Sequence, residues 1–84
     1  MKPLFYLSFA SEAGFLGVAI VEADDFLDAV KCAHELGINP GGQVLGFPLP
    51  KIGTDGMTKE AHDTAVANKN KLLSAVKLHE MGWI

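Results

Sequence analysis

The chain has 84 residues, a formal net charge of −3, 49% hydrophobic and 20% charged residues, and its seven basic residues are all lysine. That length means one domain with a small core, the absent arginine-bearing basic face argues against nucleic-acid binding, and no run approaches the ~18 apolar residues of a membrane-spanning helix. The single Cys32 cannot form an internal disulfide, so folding does not depend on an oxidising compartment.

The apolar run over 4–10 is too short for a leader and continues as strand-like sequence, so a mature cytoplasmic protein is expected. The apolar surplus for so small an interior predicts self-association into a homo-oligomer.

Residues 4–10 read as an aromatic strand, with Phe5, Leu7 and Phe9 on one face and Leu4, Tyr6 and Ser8 on the other. A turn over 11–14, with Gly14 free to take positive φ, leads to a second strand over 15–22. Strict alternation places Leu16, Val18 and Ile20 on one face and Phe15, Gly17, Ala19 and Val21 on the other. The short connection makes the two strands an antiparallel hairpin, and the bare Gly17 anticipates close packing over that point.

Asp24 or Asp25 then caps a helix in which Phe26, Ala29, Val30, Ala33 and Leu36 follow helical spacing, while Asp25, Asp28, Lys31 and Glu35 look outward. Gly37 suits a left-handed C-cap, with Ile38 folding back onto Ala33. Asn39-Pro40-Gly41-Gly42 has type II turn chemistry, in which Pro40 sets φ and Gly41 supplies positive φ. A third strand over 43–49 turns Leu45, Phe47 and Leu49 inward, and Pro48 marks it as an edge. Set beside the first strand through a right-handed crossover, it gives sheet order 2-1-3 with the helix on one face. The other face, to which Tyr6, Phe15, Ala19 and Val21 are assigned according to register, needs cover from the C-terminal third or from a second subunit.

Residues 51–57 form a loop with a turn signal at Asp55-Gly56. Thr58 caps a weak helix starting Lys59-Glu60-Ala61, with a thin stripe of Ala61, Ala65 and Val66, that ends at Asn68-Lys69-Asn70. Leu72-Leu73 anchors the chain on the core, and Ser74 caps a last helix over 75–81 closed by Gly82. One continuous helix over 58–81 is the alternative, disfavoured by two mid-helix Asn residues. The fold class is therefore α+β: a β-β-α-β core over 1–50, the loop, and one or two C-terminal helices over 58–84, in a single domain.

The pattern Gly14-Phe15-Leu16-Gly17-Val18, Ile20-Val21-Glu22-Ala23 and Ala33-His34-Glu35-Leu36-Gly37-Ile38-Asn39-Pro40-Gly41-Gly42 resembles a group of short uncharacterised bacterial and prophage-type proteins. Ser8-Phe9 and Leu72-Leu73-Ser74 belong to the same resemblance, and residues 51–69 do not. It implies an intact small domain and no particular activity.

The candidate ligand-binding residues are Asn39, Gly41, Gly42 and Gln43 in the glycine turn, with Lys51 and Thr54 as donors from the following loop. Bare backbone N–H groups there can meet a ligand. The turn follows a helix C-terminus, whose dipole repels anions, and holds no basic residue, so a polar amide or a nucleoside-like ring suits it better than a bare phosphate. Gly42 has no local conformational requirement in this reading, so Gly42→Ala is expected to be tolerated.

His34, His62, His79 and Cys32 lack zinc-ligand spacing, so no metal is expected. Cys32 has Asp28 and Glu35 as helical neighbours, the wrong surroundings for a nucleophilic thiolate. Asp24 and Asp25 are accounted for by capping, and no nucleophile–base pair or cofactor fingerprint is present. The sequence reads as a non-enzymatic binding module, a homo-oligomer holding a small polar or nucleotide-like ligand near the turn. The alternative is a protein-interaction or inhibitor domain using an exposed sheet edge or face.

Overall fold

Strands β1 (Leu4–Ser11) and β2 (Gly14–Glu22) form an antiparallel hairpin, in register from Leu4 opposite Glu22 to Phe9 opposite Gly17. They belong to a computed structural model that describes residues 2–53 and 56–84. Helix α1 (Phe26–Glu35) follows, and β3 (Gln43–Pro48) runs antiparallel to β1 on its free side, with Tyr6 opposite Phe47 and Ser8 opposite Leu45. The remaining elements are α2 (Lys59–Ala67), β4 (Leu72–Leu73) and α3 (Ala75–Glu80).

The α+β class holds, and the neighbours 2-1-3 are present within a larger sheet. The full order is 3-1-2-4, because the Leu72-Leu73 anchor is itself a short strand paired with Val18 and Ala19. A Cβ on Gly17 would lie 2.7 Å from Leu72 Cδ1 and 3.1 Å from the Leu73 carbonyl, so β4 is the close neighbour that the bare glycine admits. The C-terminal segment is two helices: Asn68 is the C-cap of α2, and Asn70 takes a left-handed φ of 63°.

The sheet separates two cores. On one side Phe5, Leu7, Phe9, Ala19 and Val21 pack against Ala29 and Ala33 of α1. On the other, Val18 and Ile20 pack against Ala65, Leu73 and Leu78, with Tyr6 and Trp83 beside them. Strict alternation along β2 fails at one place. Phe9 faces Gly17 but Ala10 faces Phe15, so Leu16 is the extra residue of a bulge and packs with the α1 core instead of joining Val18 and Ile20. Phe15 is left exposed at the hairpin end, and Ala19 and Val21 lie under α1.

The inward assignment of Leu45 and Phe47 is also corrected. Their register with β1 puts them on the face of Ser8 and Tyr6, where the C-terminal helices do not cover them, and they remain 79% and 51% exposed. Val44 packs toward α1 and Leu49 toward the second core. Leu36 is exposed because the helix ends before it and Leu36 serves as C-cap.

Each helix starts as its capping chemistry requires. The Asp25 carboxylate accepts from Asp28 N at 2.8 Å while the Asp28 carboxylate accepts from Asp24 N at 3.0 Å, a reciprocal box. Thr58 and Ser74 accept from Ala61 N and Lys77 N. Helices α1 and α3 also end alike. Gly37 N donates to His34 O and Ile38 N to Ala33 O, both at 3.0 Å; Gly82 N donates to His79 O at 3.0 Å and Trp83 N to Leu78 O at 2.9 Å. Both are Schellman closures on a left-handed glycine, with φ of 73° and 77°, and each turns an apolar residue back onto its helix.

Gly37→Ala and Gly82→Ala are each expected to lower stability by about 1 kcal/mol, read as a shift in urea midpoint at unchanged slope. A loss near zero at both would show that the glycine caps are dispensable.

Candidate functional site

The glycine turn is occupied with its own geometry. Asn39 Oδ1 accepts from Gly41 N at 2.9 Å, and Gly41 and Gly42 take φ of 89° and 73°. A Cβ on Gly42 would run into the Ala10 carbonyl, with Leu16 Cδ1 at 3.0 Å. Gly42 is thus required twice, by its positive φ and by the approach of the turn to the end of β1, and the expectation that Gly42→Ala is tolerated is overturned. Gln43 opens β3 opposite Ala10 and is exposed.

Lys51 lies past the other end of the six-residue β3. At about 3.3 Å per residue, that strand puts roughly 20 Å between Lys51 and the turn. Asn39, Gly41, Gly42 and Gln43 are therefore brought together, and Lys51 is not. Thr54 lies outside the described residues.

Lys51 instead lines a groove of about 740 Å³ at the far end of the sheet. Two hydrogen bonds build it. Leu49 N donates to Leu4 O at 2.7 Å and Ala23 N to Pro3 O at 3.1 Å, which extends the pairing of β1 with both neighbours beyond the named strands. The segment 49–52 and the end of β2 thus flank Pro3 and Leu4. Helix α2 forms the opposite wall, and its one buried residue is Ala65. Toward the groove it presents His62, Asp63 and Val66, which line the space without closing it. Apolar wall is left facing water: Ile52 is 52% exposed and Val66 41%.

The rim is charged. Lys69 hydrogen-bonds and ion-pairs with Glu22, and that hydrogen bond, then the charge of Lys69, holds the Glu22 carboxyl below its usual 4.5. Lys2 lies 3.6 Å from the Asp24 carboxylate and 3.8 Å from that of Asp28. Asp63 pairs with Lys59 at 3.4 Å and has His62 Nδ1 at 3.8 Å.

Three aromatic side chains form a row on the second face of the sheet. Tyr6 stacks on Phe47 at 5.2 Å between ring centroids and on Trp83 at 5.9 Å. Burial pushes the Tyr6 phenol up from its ordinary value. Cys32 is half-buried against the α1 core. Among the described residues, no group of three or more His, Cys, Asp or Glu side chains is placed to hold a metal ion.

Lys2, Glu22 and Lys69 were not among the expected site residues. They come from three separate segments, and the only local hint was a lysine between two asparagines that end a helix. No family model, curated protein or solved structure matches the chain.

Gly42→Ala is expected to destabilise by about 2 kcal/mol or more, exceeding Gly37→Ala, because crowding adds to the backbone strain. Chemical denaturation of the two variants side by side checks this, and equal losses would refute it. For Glu22 the folded value is depressed, so the stabilisation from its pair is present above the unfolded value and is lost as the pH falls through the folded one. A carboxyl-carbon NMR titration is expected to place the Glu22 midpoint below 4.5 and, in Lys69→Met, to return it toward 4.5.

Proposed function

We propose that the protein is a non-enzymatic binding module that works as an assembly of its own copies, joined edge to edge through β3. The observation that carries this reading is the outer edge of β3, where Leu45 and Phe47 are exposed and no residue from Gln43 to Pro48 is charged. Edge strands are ordinarily guarded by lysine, a bulge, proline or a covering element, and here Pro48 at one end is the only guard within the strand.

The ladder phase defines what the edge offers. Alternate residues of an antiparallel strand bond to the same neighbour. The Leu49–Leu4 bond assigns Phe47, Leu45 and Gln43 to β1, so the amides of Val44 and Gly46 point outward. Pro48, which has no N–H, falls on that outer side as well. Two copies related by a two-fold axis at Leu45 would pair Val44 with the partner's Gly46 and Gly46 with the partner's Val44. The same axis would bring the two Leu45 side chains together, each removing the other from water. The apolar surface continues through Phe47 into the row of Tyr6 and Trp83, which extends the contact beyond one strand.

Native mass spectrometry at the highest soluble concentration is expected to give twice the 9.0 kDa chain mass. Leu45→Lys should return the monomer with an unchanged far-ultraviolet circular dichroism spectrum, and Val76→Lys, on the outer side of α3, should not. A wild-type monomer, or an edge that pairs only with a different protein, would overturn the assembly.

A further inference from the structure

We propose that the groove between α2 and the sheet end binds a small organic monocarboxylate with an apolar body, its carboxylate on Lys51 and Lys2 and its body against Leu4, Leu49, Ile52 and Val66. The groove is built within one chain and does not depend on pairing at β3. Its volume of about 740 Å³ falls in the range of small-molecule sites, ~300–1,000 Å³. Its walls are predominantly apolar, and Ile52 and Val66 on them stay half-exposed, so an apolar body would remove both from water.

Charge selects the other end of the ligand. In a chain of net charge −3, three of the seven lysines converge on this groove. Lys69 is matched by Glu22, and Lys2 is drawn toward Asp24 and Asp28. Lys51 lines the same groove as Lys2, past the Leu49–Leu4 bond that ends the pairing of the two segments. Lys51 makes no ion pair among the described residues. A carboxylate in the groove would give Lys51 an ionic partner, with Lys2 on the same wall. The carboxylates of Glu22 and Asp63 on the same rim disfavour a second negative charge, and the chain has no arginine for bidentate phosphate recognition, so the anion is a monoanion.

The test is titration calorimetry together with methyl NMR, using octanoate, 1-octanol, acetate and inorganic phosphate as probes, on the wild type and on the Leu45→Lys variant. Octanoate is expected to bind both proteins alike and to shift the methyl signals of Leu4, Leu49, Ile52 and Val66. 1-Octanol should bind roughly tenfold more weakly and acetate not measurably. Lys51→Ala should weaken octanoate several-fold while leaving 1-octanol unchanged, and a thermal melt confirms that this exposed substitution leaves the fold intact. Equal binding of octanoate and 1-octanol, tighter binding of phosphate than octanoate, or shifts confined to other residues would each overturn the proposal. Loss of octanoate binding in Leu45→Lys alone would place the ligand at the joint between copies and overturn the one-chain groove.

Discussion

Strand β1 is bonded along both of its edges and packed on both of its faces, and the other elements take their places from it. Its alternation sends Phe5, Leu7 and Phe9 to the α1 side and Leu4, Tyr6 and Ser8 to the other. A strand with apolar residues on both faces is stable only when both are covered. The chain therefore has to supply two layers, and 84 residues supply one and a half. Helix α1 closes the first face with Ala29 and Ala33 seated directly on the sheet. The C-terminal segment closes the second over β2 and β4, and leaves the β3 side open.

Two surface features come from that shortfall. Along β3 the uncovered face shows Leu45 and Phe47, and the same strand presents an unpaired outer edge. At the end of the sheet a groove remains between Leu4 and Leu49 on one side and His62, Asp63 and Val66 of α2 on the other. Neither feature is a packing error. Both follow from a helix of low apolar content laid over a strand pattern that is apolar on both sides, and both leave wall that a second molecule can cover.

Much of this was legible in the chain because it is local. The hairpin, the Asp25, Thr58 and Ser74 caps, the Gly37 closure, the break between α2 and α3 and the edge position of Pro48 each depend on a few adjacent residues. The misreadings share the opposite property. Two residues of β4 have no alternation to read, so Leu72-Leu73 looked like an anchor and not a strand. The bulge at Leu16 exists only as a mismatch between two strands. The crowding at Gly42 comes from the carbonyl of Ala10, thirty-two residues earlier in the chain. The exposure of Leu45 depends on where helices thirty residues later happen to lie. For the site, the turn residues do cluster as the sequence implied, but Lys51 belongs to a groove that is assembled from both ends of the chain.

The matched helix endings bear on how the molecule comes together. The closures of Ile38 onto Ala33 and of Trp83 onto Leu78 each link residues five apart, and the hairpin is nearly as local. By contrast, β4 reaches β2 across 55 residues from Val18 to Leu73. Closing so long a loop carries a larger entropic penalty, repaid by only two paired residues and the side chains around them. The local contacts are therefore the cheaper ones to close, and the C-terminal layer carries the larger closure cost. Val18 and Ile20 are buried under that same layer, so the pairing of Leu72 and Leu73 over Gly17 is the joint on which the second core depends.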